Sequence, residues 1–220
     1  MSKKTGYENM IAVTNRQLYL QAAERSRCRN GEENEVLKED FIPGACSWNR
    51  YLEQTEQVLS LSPKALVLRE KDLKPEIYKA LAAEVTAMCK AAGTECILHG
   101  FSEEAKALSW RKIHLPLRLL RELPYLDFFE KKGTSVHSLE EAREAEALGA
   151  NYLFAGNIFE TDCKKGLPGR GLSFLKEVCS QVSVPVYGIG GITPERMEEI
   201  LLAGAAGGCM MSGFLKIQGK

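Results

Sequence analysis

The stretch Val184-Pro185-Val186-Tyr187-Gly188-Ile189-Gly190-Gly191-Ile192-Thr193-Pro194 runs from an apolar, β-rich segment through two glycines into a helix start. Threonine is a helix-capping type, and proline suits the first helical position, whose N–H has no intrahelical partner anyway. A strand that exits this way leaves backbone amides free to face an anion. The same order recurs where the run Gly207 to Met210 closes on Met211-Ser212-Gly213. Working outward, six further short β-rich runs appear: Met10 to Thr14, Ala65 to Leu68, Glu95 to Leu98, Lys112 to Leu115, Thr134 to Val136 and Tyr152 to Ala155. With Val184 to Gly188 and Gly207 to Met210 they make eight, and most are separated by helix-patterned segments such as Lys74 to Ala92, where Ile77, Leu81, Val85 and Met88 fall near helical spacing. Buried strands alternating with helices predict a parallel sheet, and eight repeats predict an α/β fold closed as a (β/α)8 TIM barrel, one domain over residues 1–220.

Helix signals mark the boundaries. Ser138 is placed to cap Leu139 to Leu148, Glu141 three residues on completes a capping box, and Gly149 stands where a left-handed residue ends a helix. Between the first strand and a first helix at Asn49 to Leu59, the segment Gln17 to Ser47 is long and charged for a βα loop. It reads as an insertion, either a lid over the strand ends or a flexible surface excursion. Phe214 to Lys220 leaves room for only a stub of the last helix, a gap that a partner subunit in a homodimer, or the insertion, would cover.

Composition narrows the function classes. Lys plus Arg and Asp plus Glu are 29 each, so no global field favours nucleic acid or an anionic membrane, and attraction for a phosphate has to be local. The seven cysteines are odd in number and scattered at no zinc-like spacing, which reads as reduced thiols and a cytoplasmic protein. No apolar h-region or bilayer-length apolar run is present. A small-molecule ligand is the expectation.

In a barrel of this kind functional groups gather where strands end. The exits here carry Asn15 and Arg16, Arg69 to Lys71, His99, His114, His137, the loop from Asn157, Gly190-Gly191 and Ser212-Gly213. All three histidines of the chain are among them. Taken alone, Gly-Gly after a strand is more often a tight turn than a ligand site. Beside Ser212-Gly213, however, two adjacent exits offer unencumbered amides together, which suits a phosphate. The loop Asn157 to Gly171 adds hydroxyl, thiol, ammonium and guanidinium groups in Thr161, Cys163, Lys164 and Arg170.

The ordered motifs Ala12-Val13-Thr14-Asn15-Arg16, Leu68-Arg69-Glu70-Lys71, Ser135-Val136-His137-Ser138, Phe159 to Gly171, Ile189-Gly190-Gly191-Ile192 and Met211-Ser212-Gly213 resemble the superfamily of thiamine phosphate synthase and thiazole tautomerase. In the synthase type the resemblance implies magnesium held by two aspartates, one in an Asn-Asp pair after the third strand and one shortly after the fourth. Here those places are His99-Gly100 and Pro116-Leu117-Arg118-Leu119, with no carboxylate. The synthase-type glutamine before the strand-end arginine is Val67, and the second threonine of its Thr-x-Thr-Lys loop is Cys163. Magnesium prefers hard oxygen ligands, so these departures point away from diphosphate chemistry.

The remaining motifs are similar to the tautomerase branch, which aromatises a carboxythiazole phosphate by moving a proton from ring C2 to an exocyclic carbon. That reaction needs an acid/base group and no metal or other cofactor. By resemblance His137 is the catalytic residue expected; read from the residues alone, it is equally a helix-entry histidine bonded to backbone. Gly190, Gly191, Ser212 and Gly213 are expected on the phosphate, Thr161, Cys163 and Lys164 around the ring, and Arg69 or Lys164 on the carboxylate, with Lys71 and His99 as further substrate contacts. The alternatives are the synthase itself, with Mg as cofactor, and a non-catalytic thiazole phosphate binder.

Overall fold

The computed structural model describes residues 7–21, 40–161 and 166–216. Eight parallel strands close into a barrel in sequence order: β1 Met10–Val13, β2 Ala65–Leu68, β3 Glu95–His99, β4 Lys112–Leu115, β5 Lys131–Val136, β6 Tyr152–Gly156, β7 Val186–Ile189 and β8 Gly207–Met210. Closure is through β1 and β8, where Met10, Ile11 and Ala12 register with Gly208, Cys209 and Met210. The TIM barrel expected from the alternating pattern is therefore the observed fold. Its helices are α1 Cys46–Ser60, α2 Pro75–Ala92, α3 Ser102–Ala107, α4 Leu117–Glu122, α5 Leu139–Ala147, α6 Gly171–Gln181, α7 Met197–Leu202 and the short α8 Gly213–Lys216.

Side chains alternate in and out along each strand, so the apolar residues divide into two cores. Met10, Ala12, Leu66, Leu68, Ile113 and Leu115 face the helices, where Tyr51, Leu81, Val85 and Leu175 meet them. Ile11, Val13, Val67, Ile97, Tyr152, Phe154 and Tyr187 fill the barrel interior. Full burial of a leucine such as Leu66 or Leu81 contributes roughly 2 kcal/mol each. Gly133 makes room for the largest interior ring, since a Cβ there would lie 2.1 Å from Tyr152. Below that ring, Glu95 joins Lys131 at 2.5 Å and Lys112 at 3.0 Å across the amino ends of β3, β4 and β5.

The ends of the polar segment 17–47 differ from the expectation of a solvated excursion. Residues 16–21 are helical, Tyr19 and Leu20 are buried, and Tyr19 stacks on Tyr51 of α1 at 5.0 Å. Phe41 is also buried and meets Trp48 at 5.1 Å, and α1 begins three residues before the expected Asn49. Aromatic anchors inside a charged stretch outweigh its mean polarity; residues 22–39 lie outside the described residues. The capping box is also altered. Ser138 Oγ accepts the Glu141 N–H at 3.1 Å, but the Glu141 carboxylate accepts from the His137 N–H at 2.5 Å, one residue before the cap. After Thr193-Pro194 the chain makes a 3-10 turn over Pro194–Arg196 before α7. Among the described residues no helix is long and apolar enough to cross a membrane.

Candidate functional site at the strand exits

The carboxyl ends of the strands surround a pocket of about 1040 Å³. One side is made of backbone. Gly190 and Gly191 have φ of +97° and +65°, and a Cβ on Gly190 would lie 2.6 Å from Asn157 Cβ, so the β7 exit both needs a left-handed residue and has no room for a side chain. The β6 exit is tied to it: Ile158 N donates to Ile189 O at 2.9 Å and Phe159 N to Gly190 O at 3.0 Å. Arg196 closes this side, its guanidinium 4.1 Å from the Phe159 ring centroid and donating to Gly191 O at 3.0 Å. Ser212 and Gly213 complete the wall from the β8 exit.

The other side is made of imidazoles. Period-two alternation turns His99, His114 and the pair Ser135 and His137 inward from β3, β4 and β5. His114 is buried, stacks on Phe154 at 4.4 Å and on His99 at 5.4 Å, and has both nitrogens engaged, Nδ1 with Tyr152 Oη at 3.1 Å and Nε2 with Ser135 Oγ at 3.0 Å. Burial holds it well below the ordinary imidazole range, helped by His99, Lys71 and Arg69. Burial, and then Lys71 and Arg69, likewise bring His99 down to about 3, and its buried Nδ1 has no hydrogen-bond partner. Both rings are neutral at physiological pH.

His137 differs from them. It is only partly buried, and its Nδ1 lies 2.6 Å from Gly156 O. A carbonyl can only accept, so Nδ1 carries a proton, and in the neutral ring the lone pair is on Nε2. The backbone N–H of the same residue donates to the Glu141 carboxylate, which anchors the main chain beneath the ring.

At the β2 exit Arg69 and Lys71 line the pocket while Glu70 between them is buried. Desolvation at the pocket wall, then Arg69, pulls the Lys71 ammonium below its ordinary value. Glu70 Oε1 accepts from Thr14 Oγ1 at 2.6 Å and Tyr51 Oη at 2.8 Å, and Oε2 from Arg16 N at 2.7 Å. The Arg16 guanidinium pairs with Asp72 instead.

The pocket therefore brings together Arg69, Lys71, His99, His137, Thr161, Gly190, Gly191, Ser212 and Gly213 of the expected set. Cys163 and Lys164 lie outside the described residues. Asn157 and Glu160 also line it, from the loop expected at the strand exits; Ser135 and Arg196 line it and were not expected to, and Ser135 could have been found by counting back two from His137 along the strand.

The matching family model, described as thiamine monophosphate synthase (TMP-TENI), covers residues 42–214. A putative thiamine-phosphate synthase 2 of Aquifex aeolicus is 36% identical over 174 residues, spanning 76% of this chain and 90% of that relative. A thiamine-phosphate synthase of Pyrococcus horikoshii is 42% identical over 102 residues, 46% of this chain and 47% of its own length. Among solved structures, a thiamine phosphate pyrophosphorylase from Pyrococcus furiosus shares the fold with a TM-score of 0.69 at 23% identity, covering 97% of this chain and 92% of its own. FabK from Thermotoga maritima shares the barrel at 0.62 and 16% identity, over 74% of this chain and 54% of its own. With its ordered motifs on a closed barrel and more than half its length matched, this chain belongs to the thiamine monophosphate synthase (TMP-TENI) family.

Proposed function

We propose that this protein acts in thiamine biosynthesis as a thiazole tautomerase, aromatising a carboxythiazole phosphate. The observation that carries the reading is His137: Nδ1–H committed to Gly156 O, Nε2 left with a lone pair in a ring that lines the pocket. Such an imidazole can take the C2 proton and return it to the exocyclic carbon, with no net change in protons or electrons. The Gly156 carbonyl keeps the ring oriented and favours the transient imidazolium. Amides of Gly190, Gly191, Ser212 and Gly213 suit the phosphate, and Arg69 with Lys71 suits the carboxylate.

The names of the relatives favour a second reading, coupling of a pyrimidine diphosphate to thiazole phosphate with magnesium. The described donor set does not fit that ion. At the β3 and β4 exits stand two neutral imidazoles beside two cations, and Glu160 is the one carboxylate among the described pocket-lining residues. A hard dication prefers carboxylate and water oxygens.

The test is the absorbance of the aromatic thiazole formed from the thiazole synthase product in excess chelator. Acceleration by this protein that disappears in His137→Ala is the expected result. Pyrophosphate release that requires magnesium and both synthase substrates, with no chelator-resistant tautomerisation, would select the second reading.

A further inference from the structure

We infer that Glu70 is a positioning residue, whose buried carboxylate ties the β1 exit to the β2 exit and so sets how Arg69 and Lys71 are presented to the pocket. The connection is continuous. Thr14 Oγ1 donates to Glu70 and accepts the Arg69 N–H at 2.9 Å, while Arg16 N donates to the other carboxylate oxygen. Tyr51 of α1 donates from behind. Among the described residues every partner of the carboxylate is a neutral donor and no cation pairs with it, since the Arg16 guanidinium is taken by Asp72. Removing one acceptor oxygen therefore leaves a donor unpaired at the joint between the two exits.

The same geometry makes the joint responsive to pH. Burial raises Glu70 to about 7, against the lowering effect of Thr14, Arg16 N and Tyr51, with Asp72 raising it further. The other titratable groups facing it are the phenols of Tyr19, Tyr51 and Tyr78, all raised and so neutral in this range. A protonated Glu70 cannot accept at every contact, so Arg69 and Lys71 are held less firmly as pH falls through neutrality.

The test uses the full-length protein and three variants. In Glu70→Gln, Oε1 can keep both hydroxyl bonds while the amide nitrogen faces the Arg16 N–H, donor against donor. In Thr14→Val the Arg69 N–H loses its acceptor, and Thr14→Ser keeps it. Two readouts need no substrate. Hydrogen exchange should quicken about tenfold at the Arg16 amide in Glu70→Gln and at the Arg69 amide in Thr14→Val, the size expected for losing a strong hydrogen bond. The rate at which an amine-specific acylating reagent modifies Lys71, read by peptide mass spectrometry, should change in both variants and return in Thr14→Ser.

The third readout rests on the proposed function. KM for the carboxythiazole phosphate should rise as pH falls through about 7 in the wild type, and be high and lack that step in Glu70→Gln. Comparison of the two cancels titration of the substrate phosphate. Unchanged exchange and unchanged Lys71 acylation in both variants overturn the inference, as does altered Lys71 with an unaltered KM profile. Altered exchange and acylation in a protein without tautomerase activity would uphold the inference and refute the functional reading alone.

Discussion

The two sides of the pocket are built from different material. The β6–β8 side is backbone: Gly190 and Gly191 present bare amides, and the turn is held by the Phe159 N–H on Gly190 O, the Ile158 N–H on Ile189 O and Arg196 on Gly191 O. The β3–β5 side is side chains, a stack of His99, His114 and Phe154, with His137 lining the same pocket from the β5 exit. On the proposed function a backbone cup reads a generic group, a phosphate, and tolerates little change. A side-chain wall can be rewritten one residue at a time, and within a family that is where the chemistry can diverge while the anion grip persists.

That contrast can be broken most sharply at His137. His137→Ala should lower kcat by about 10² to 10⁴-fold, the usual worth of a general acid/base, with KM little changed. Gly190→Ala should do the reverse: a Cβ would lie 2.6 Å from Asn157 Cβ at φ +97°, and a lost phosphate grip should raise KM by about tenfold or more, equivalent to about 1.4 kcal/mol. A variant that bound normally would refute the backbone cup.

The stability of the imidazole wall sharpens the comparison further. His99 and His114 have depressed values, so the unfolded chain binds more protons below its ordinary histidine pKa of 6.5, and stability is lost as pH falls from there, for His99 down to about 3. Glu70, raised to about 7, acts oppositely: its contribution is full below 4.5 and is lost as pH rises through 7. Each group changes stability by up to about 1.4 kcal/mol per pH unit within its window, so Glu70 offsets one histidine and leaves the other. Urea unfolding of His99→Leu should accordingly lose less stability between pH 6.5 and 5 than the wild type; an identical slope would remove the buried neutral His99. The smallest effect belongs to Arg196→Ala, where loss of the bond to Gly191 O and the contact with Phe159 should raise KM a few-fold, consistent with about 1 kcal/mol for one hydrogen bond.

Much of this was legible before the fold was known. All eight expected runs became strands with ends shifted by at most about three residues, because parallel barrel strands are short apolar runs punctuated by glycine and charge. The Gly190-Gly191 exit was legible for the same reason: bare backbone leaves a mark in composition. The differences among the three histidines were not. All stand at strand exits, and only the register that stacks His99 on His114, and the approach of Gly156 O to His137, separates two neutral buried rings from one with a free lone pair. Tyr19 and Phe41 were hidden similarly, as aromatic anchors in a charged stretch whose partners, Tyr51 and Trp48, come from a later helix.

The ring of Tyr152, seated over Gly133 beside the Glu95–Lys131 pair, is buried and fills the amino end of the barrel, whose interior is a packed core and not a pore. A ligand that enters at the strand exits has to leave by the same door. In the proposed reaction, which only relocates a proton, substrate and product have the same bulk and the same phosphate, so the cup would grip both alike, and binding them equally adds nothing to turnover. Product should then compete with substrate at comparable concentrations, and flux through the enzyme would depend on a next step that removes the aromatic product promptly.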